Sequence, residues 1–394
     1  MNKVKFGIVG MGNQGSYYAR LFAEGKIANG KLVACCDNNA LKLNGATEKF
    51  GTDIKYFSNY KDMLKSGECD AVLVVTPHYD HPEIVIECLK RGLHVICDKP
   101  AGVYTKQVRE MNEIAKQSNA KFAMMFNQRT NCVYRKMREI ISNGGIGTLQ
   151  RVNWIITDWY RTQAYYDNGS WRATWAGEGG GVLINQCPHQ LDLVQWVVGE
   201  MPEKVNGFCH YGKWHDIEVE DDVTAYFEYK NGATGVFITT TGEAPGTNRF
   251  EVSGSKGKLV CENEKLVYYK NMQDSINEIK NSPKGFNAVS WEITEVETDG
   301  QNPQHAGIIN NFTNSILGIE QQFVDGTEGI NGVELMNAIE LSGWLGGQKI
   351  CIPVDEEKYC DELFKRVKTS KVKQNCIDEV QDTSNSFGNK SDKK

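Results

Sequence analysis

Three side chains able to handle protons or hydroxyls, Asn185, His189 and Asp192, follow four glycines in the stretch GEGGGVLINQCPHQLD, residues 177–192. An imidazole ionises near pH 6.5, so His189 can take or give a proton close to neutrality. Helical spacing sets Asp192 one turn beyond it, where its carboxylate can orient the ring. Asn185 can direct a hydroxyl by hydrogen bonding but cannot ionise. Gly179 to Gly181 let the chain come close to a bound molecule before it turns helical. A structural histidine braced by Asp192 fits the same residues equally well, so the stretch alone assigns no reaction.

A second group is more specific. GMGNQG, comprising Gly10, Met11, Gly12, Asn13, Gln14 and Gly15, follows the apolar run KVKFGIV and opens a helical pattern carrying Tyr18, Leu21 and Phe22. Gly10 permits a tight turn, Gly12 lets backbone approach a pyrophosphate, and Gly15 lets the helix pack on the strand with its N-terminus toward the anion. Asp37 ends the next apolar run about twenty residues on, where a carboxylate accepts hydrogen bonds from the adenosine ribose and repels a 2′-phosphate. Asn38 and Asn39 follow it, with no arginine to receive such a phosphate, which favours NAD over NADP. Asp37 also suits the N-cap of the next helix.

Two further apolar runs end in TPHYDH (76–81) and CDKPAG (97–102). Ligands of open α/β sheets sit outside the carboxyl ends of the strands, so Thr76, His81, Asp98 and Lys99 are expected in the cofactor crevice. Pro100 restricts the backbone of Lys99. In DWYRTQAYYDNGSWRATW (158–175) aromatic rings alternate with Arg161 and Arg172. Flat rings suit the apolar faces of sugars and guanidinium groups suit their hydroxyls, which makes Tyr160, Trp171 and Arg172 candidate substrate contacts, with packing accounting for some of the other rings. Arg129, after the last apolar run of the first half, is a weaker candidate. His78 with His81, and His210 with His215, lack the Cys/His/Asp spacing of a zinc site, and no metal is expected.

These residues need a scaffold. Apolar runs at 3–9, 31–37, 70–76, 94–98 and 121–126 alternate with helical patterns, which means a doubly wound parallel sheet covered on both faces. After a helix near 131–143 the texture changes to alternation, with Val223, Ala225, Phe227 and Tyr229 set against Thr224, Tyr226 and Glu228. Strands are expected there and at 151–158, 234–240, 249–253 and 258–262, forming one large, mostly antiparallel open sheet. Helices near 305–317 and 331–346 pack back on the body. The expected organisation is α/β: an N-terminal Rossmann domain (1–127), a C-terminal α+β domain (128–370) and a disordered tail (371–394).

At 394 residues the chain exceeds the usual size of a single core. A net charge of −6, with Lys and Arg scattered, argues against nucleic acid as a partner. The N-terminus runs directly into a strand pattern without signal-peptide features, so a cytoplasmic location is expected, with no membrane role. Most of the twelve cysteines, among them Cys35, Cys36, Cys97 and Cys261, lie in apolar runs and read as reduced.

Taken in order, GMGNQG, the T-P-x-x-x-H segment, CDKPAG and GGGVLINQCPHQLD resemble the glucose-fructose oxidoreductase, inositol dehydrogenase and rhizopine catabolism (Gfo/Idh/MocA) family, over about residues 3 to 354. The resemblance implies a dehydrogenase moving a hydride between a ring hydroxyl of a sugar, glycoside or cyclitol and a nicotinamide. It gives Lys99 the role of the catalytic lysine of the E-K-P motif, with Asp98 in place of the usual Glu. It gives His189 the acid/base role, and it sets Asn185 where an Asp is common and His78 where an Asn is common. Asn185 cannot hold an imidazolium by charge, so proton transfer would rest on Lys99 and His189. The same resemblance leaves two other readings: a redox-neutral, NAD-retaining enzyme that cleaves glycosides, and a non-catalytic sensor of NAD and sugar. Relatives bury the open sheet face by pairing, so a homodimer or homotetramer is implied.

Overall fold

In the computed structural model, residues 3–371 and 373 are described, and the tail expected over 371–394 lies otherwise outside them. Six strands form the first sheet: β1 (Val4–Val9), β2 (Gly30–Cys36), β3 (Lys55–Phe57), β4 (Ala71–Val74), β5 (His94–Cys97) and β6 (Phe122–Met124). All pair in parallel, in the order β3-β2-β1-β4-β5-β6. The central strands are buried on both faces, as their unbroken apolar sequences require. Edge strand β3, with its exposed Lys55, has no apolar run to mark it. The strand order reverses between β1 and β4, which places Gly10 and Thr76 side by side at the switch point where such sheets take ligands.

A single turn, Asn127–Thr130, and helix Cys132–Ser142 lead to the second sheet. Its strands are β7 (Leu149–Ile156), β8 (Lys204–Tyr211), β9 (Glu220–Glu228), β10 (Thr234–Thr240), β11 (Asn248–Gly254), β12 (Gly257–Glu262), β13 (Lys265–Asn271), β14 (Trp291–Glu295) and β15 (Ile350–Cys351). The order is β14-β13-β12-β11-β7-β10-β9-β8-β15, antiparallel throughout except that β7 and β10 run parallel. Strands β8, β13, β14 and β15 go beyond the sequence expectation. β14 is exposed along its whole length and β15 is two residues long, so neither carries an alternating pattern.

One face of this sheet carries Ala225, Phe237, Trp154 and Phe250 in a cross-strand row, with Trp154 stacked on Phe250 at 4.2 Å between centroids. Helices cover that face. Helix Gly329–Trp344 lies so close to β8 that a Cβ on Gly207 would come within 2.3 Å of the Ile339 carbonyl. The opposite face presents Phe208, Thr224, Ile238 and Ile155 in register, with Phe208 54% exposed. Helix Pro188–Val198 is buried on nearly every side, and helix Gln304–Ile316 returns to pack against the Asn127–Thr130 turn. Cys35, Cys36, Cys97 and Cys261 are buried free thiols.

Candidate active site

The glycine loop has two kinds of glycine. A Cβ on Gly10 would meet the Val75 carbonyl oxygen at 2.4 Å, and one on Gly15 would meet the Gly10 carbonyl oxygen at 1.8 Å, so both are fixed by the protein's own packing. Gly12, at the N-cap of helix Asn13–Ala23, has nothing within 4 Å of its Cβ position, and no packing contact within the chain requires its small size. That open space, beside the unpaired N–H groups opening the helix at Asn13, Gln14 and Gly15, fits a pyrophosphate. Asp37 accepts the Met11 N–H at 2.7 Å and the Asn39 N–H at 2.8 Å, tying the end of β2 to the loop. The N-cap of the following helix is Asn39, so Asp37 leaves the capping role to its neighbour. Thr76 contributes a buried hydroxyl without a hydrogen-bond partner at the switch point. Together these groups fit a dinucleotide.

Two residues expected to touch the cofactor turn inward. His81 sets Nδ1 on the Pro100 carbonyl at 2.7 Å and Nε2 on the Thr76 carbonyl at 2.8 Å, so its ring braces the ends of β4 and β5. Asp98 accepts the Tyr18 hydroxyl at 3.2 Å and the Lys99 N–H at 2.8 Å. Its carboxylate thereby fixes the start of the lysine segment on the helix behind the glycine loop.

Lys99 and the 177–192 stretch do meet. The Lys99 ammonium donates to the backbone carbonyl of Asn185 at 2.9 Å. Burial pulls its pKa down, while Asp98 and Glu178 hold it up. His189 sits in the first turn of helix Pro188–Val198 with Nδ1 buried and without a hydrogen-bond partner. Its pKa is pushed well below the ordinary value, first by burial and then by Lys99 and His305, so the imidazole is neutral at physiological pH.

Asp192 does not orient that imidazole. It makes a bidentate ion pair with Arg129, Nε to Oδ2 at 2.8 Å and Nη2 to Oδ1 at 2.6 Å, and both side chains are 1% exposed. Arg129 also donates to Glu328 and lies over the rings of Phe126 and Trp196. It is therefore a buried brace, 1% exposed, with each nitrogen already on a carboxylate. The glycines are also corrected: a Cβ on Gly179, Gly180 or Gly181 would strike Val103, Glu340 or the Glu220 carbonyl, so they answer to packing within the chain.

Of the aromatic segment, Trp171 and Arg172 reach the site, and Tyr160 remains 52% exposed. Trp171 stands edge-on to His78, and Arg172 lies over the rings of Trp171 and Tyr165 while donating to the Tyr165 hydroxyl at 2.7 Å. The buried Arg172 Nε has no partner. Sequence reasoning missed three participants. Glu178 is 1% exposed and bonded to Asn185; it stands in the quoted stretch as a carboxylate among glycines, a signal passed over. Tyr165 donates to Asn185 Oδ1 at 3.1 Å. His305 arrives on a helix remote in sequence, packs against Tyr17 and Tyr18, and is held at a pKa of about 4 by burial, so nothing in its neighbours could have placed it. Among the described residues no cluster able to hold a metal ion occurs.

Comparison with known proteins agrees with this geometry. Residues 4–126 match the model of the oxidoreductase family with an NAD-binding Rossmann fold, and residues 134–260 match the Gfo/Idh/MocA C-terminal domain. The chain is 27% identical to myo-inositol 2-dehydrogenase of Thermotoga maritima over 66% of its own length and 75% of that protein. It is 30% identical to the rhizopine catabolism protein MocA of Rhizobium meliloti over 51% of its length and 59% of that protein. Its fold superposes with a TM-score of 0.75 and 26% identity on the WlbA dehydrogenase of Bordetella pertussis, crystallised with NADH and UDP-GlcNAcA, covering 90% of this chain and all of that one. The chain thus belongs to the Gfo/Idh/MocA family and is an NAD-binding oxidoreductase.

Proposed function

We propose that the protein oxidises a ring hydroxyl of a sugar, glycoside, nucleotide sugar or cyclitol to a ketone. The observation that carries this reading is a half-buried ammonium, Lys99, fixed on the Asn185 carbonyl and near enough to a half-buried imidazole, His189, for its charge to disfavour protonation of the ring. A nicotinamide held at the glycine loop would supply the hydride acceptor. His189, unprotonated at neutral pH, takes the proton of the substrate hydroxyl. Lys99 stabilises the negative charge that develops on that oxygen, and its own charge keeps His189 from holding a proton too early. Asn185 has its side chain committed to Glu178, Tyr165 and Gln186, so it orients the lysine through its backbone and leaves the proton to His189.

Gly10 to Gly15, Asp37 and Thr76 hold the dinucleotide, with the cofactor-binding part ending near residue 127. Trp171 and Arg172 offer a ring face and guanidinium donors to the sugar; Tyr160 joins them only if its exposed ring turns inward. The inositol and UDP-sugar named for the relatives favour polyhydroxylated rings as the substrate class. The open face of the second sheet, with Phe208 and Ile155 in one row, pairs with a second copy, and a monomer mass by light scattering at micromolar concentration would exclude that.

The decisive test is formation of NADH from NAD, or of NADPH from NADP, with a panel of hexoses, glucosides, sugar acids, inositols and UDP-sugars, repeated with His189→Ala. Growth of absorbance with one class, lost in the variant, establishes the reaction. Silence with NAD still bound transfers support to redox-neutral cleavage or to sensing.

A further inference from the structure

We propose that Glu178 supplies the negative charge that position 185 lacks, acting as a positioning residue that keeps Lys99 cationic through a matched amide–carboxylate pair with Asn185. The proposal rests on the dehydrogenase reading for its catalytic consequence. The geometry is specific. Asn185 Nδ2 donates to Glu178 Oε1, while Asn185 Oδ1 receives the Tyr165 hydroxyl and Gln186 Nε2, both at 3.1 Å. Those two donors fix which end of the amide faces the carboxylate. Glu178 Oε2 receives the Ala173 N–H at 2.6 Å, and Arg172 Nη1 lies 3.9 Å from Oε1.

Among the described residues, every group bonded to the Glu178 carboxyl is therefore a donor or a cation. Burial raises its pKa, while Arg172, the Ala173 N–H and the Asn185 amide oppose that rise by favouring the carboxylate. The same Asn185 whose amide holds Glu178 offers its carbonyl to Lys99. Charge and position thus reach Lys99 from one short segment. Lys99 is faced by Asp98 and Glu178, which favour its charged form, and by Arg172, His78, His189 and His305, with Cys187 alongside. Glu178 is faced in turn by Arg172, Lys373 and Glu220.

An aspartate at position 185 would set two buried carboxylates face to face, and one of them would have to take up a proton. Asparagine at this position is then the complement of glutamate at 178, and exchanging the two functions should work where changing either alone should not. When Glu178→Gln is combined with Asn185→Asp, the oxygen of the introduced amide still accepts from Ala173 and its nitrogen donates to the introduced carboxylate. That carboxylate in turn still accepts from Tyr165 and Gln186.

The test is the four-protein cycle of wild type, Glu178→Gln, Asn185→Asp and the double variant. Two readouts apply: kcat/KM with its pH profile, and the titration of Lys99 followed by NMR in protein with isotope-labelled lysine, assigned with Lys99→Arg. Each single variant is expected to lose about tenfold or more in kcat/KM, the scale of a coupling between groups in contact, with the double variant recovering most of it. In Glu178→Gln the Lys99 midpoint, and with it the alkaline limb, moves down by about one pH unit, because an anion that favoured the ammonium is gone; in the double variant it returns. The proposal is overturned by an Asn185→Asp enzyme as active as wild type, or by a double variant no better than the worse single one. Should Glu178→Gln not fold, Asn185→Asp decides alone, by whether a new carboxyl titration appears near neutrality. If wild type oxidises no alcohol, the dehydrogenase reading falls by itself, and the Lys99 titration still decides the charge exchange.

Discussion

Two charge clusters, one buried around Arg129 and one half-buried around Lys99, are finished differently in this chain. Around Arg129, each of the three nitrogens meets Asp192 or Glu328, and two aromatic rings cover the guanidinium. Around Lys99, the ammonium makes one hydrogen bond among the described residues, while His189 Nδ1, Arg172 Nε and the Thr76 hydroxyl are buried with none. Burying a polar atom without a partner is costly, and these three stand at a strand end, in the aromatic segment and in the first turn of helix Pro188–Val198, where a ligand would complete them. A satisfied cluster braces the fold; an unsatisfied one marks where chemistry occurs.

The comparison breaks most sharply at the brace. Arg129→Met leaves Asp192 as a buried carboxylate facing an apolar chain, and removing one partner of a buried pair costs about 3–5 kcal/mol. Urea denaturation should show that loss, with NAD affinity in the folded fraction unchanged. A cost under about 1 kcal/mol would mean that Arg129 is no brace. His189→Ala, in the unfinished cluster, should do the reverse. Losing a general base removes about a hundred- to thousandfold in turnover, while stability holds, because the imidazole gives up no bond at Nδ1. Equal losses of stability in both variants would erase the distinction.

This is also where the sequence misleads. Lys99, Asn185 and His189 are legible because each stands in a motif whose order along the chain follows the strand ends, and the sheets are legible where period or apolar runs are strong. Arg129 and Asp192 look functional because a residue type and a spacing carry no record of who its partner is. Their ion pair joins positions 63 residues apart. His305 and the Glu178–Asn185 pair depend on tertiary approach in the same way, as does β8, whose Gly207 makes sense only under helix Gly329–Trp344.

The glycine loop repeats the contrast at a smaller scale. Gly10 and Gly15 are demanded by the protein, and Gly12 by nothing within it. Gly12→Ala should therefore leave the melting temperature where it is and weaken NAD binding by about tenfold, the effect of a methyl group pushed against a pyrophosphate that backbone must approach. Titration calorimetry against the thermal midpoint separates the two quantities. Unchanged NAD affinity would place the dinucleotide elsewhere.

The smallest effect concerns the charge that links Lys99 to His189. Burial, then Lys99, then His305 push the imidazole well below 6.5. The neutral ring is the form that accepts the hydroxyl proton, so a lowered pKa extends activity downward, and the acid limb of kcat/KM should lie below pH 6.5. His305, held at a pKa of about 4 by burial, carries charge only in acid solution, so His305→Asn should move that limb less than removal of the Lys99 charge does. Lys99→Met removes a permanent neighbour charge. The His189 titration, read by NMR because turnover will be low, should then rise toward its ordinary value by about one pH unit or less. A fall instead would mean that burial by the longer side chain, and not its charge, sets the proton affinity of His189, and the two residues would no longer count as one catalytic pair.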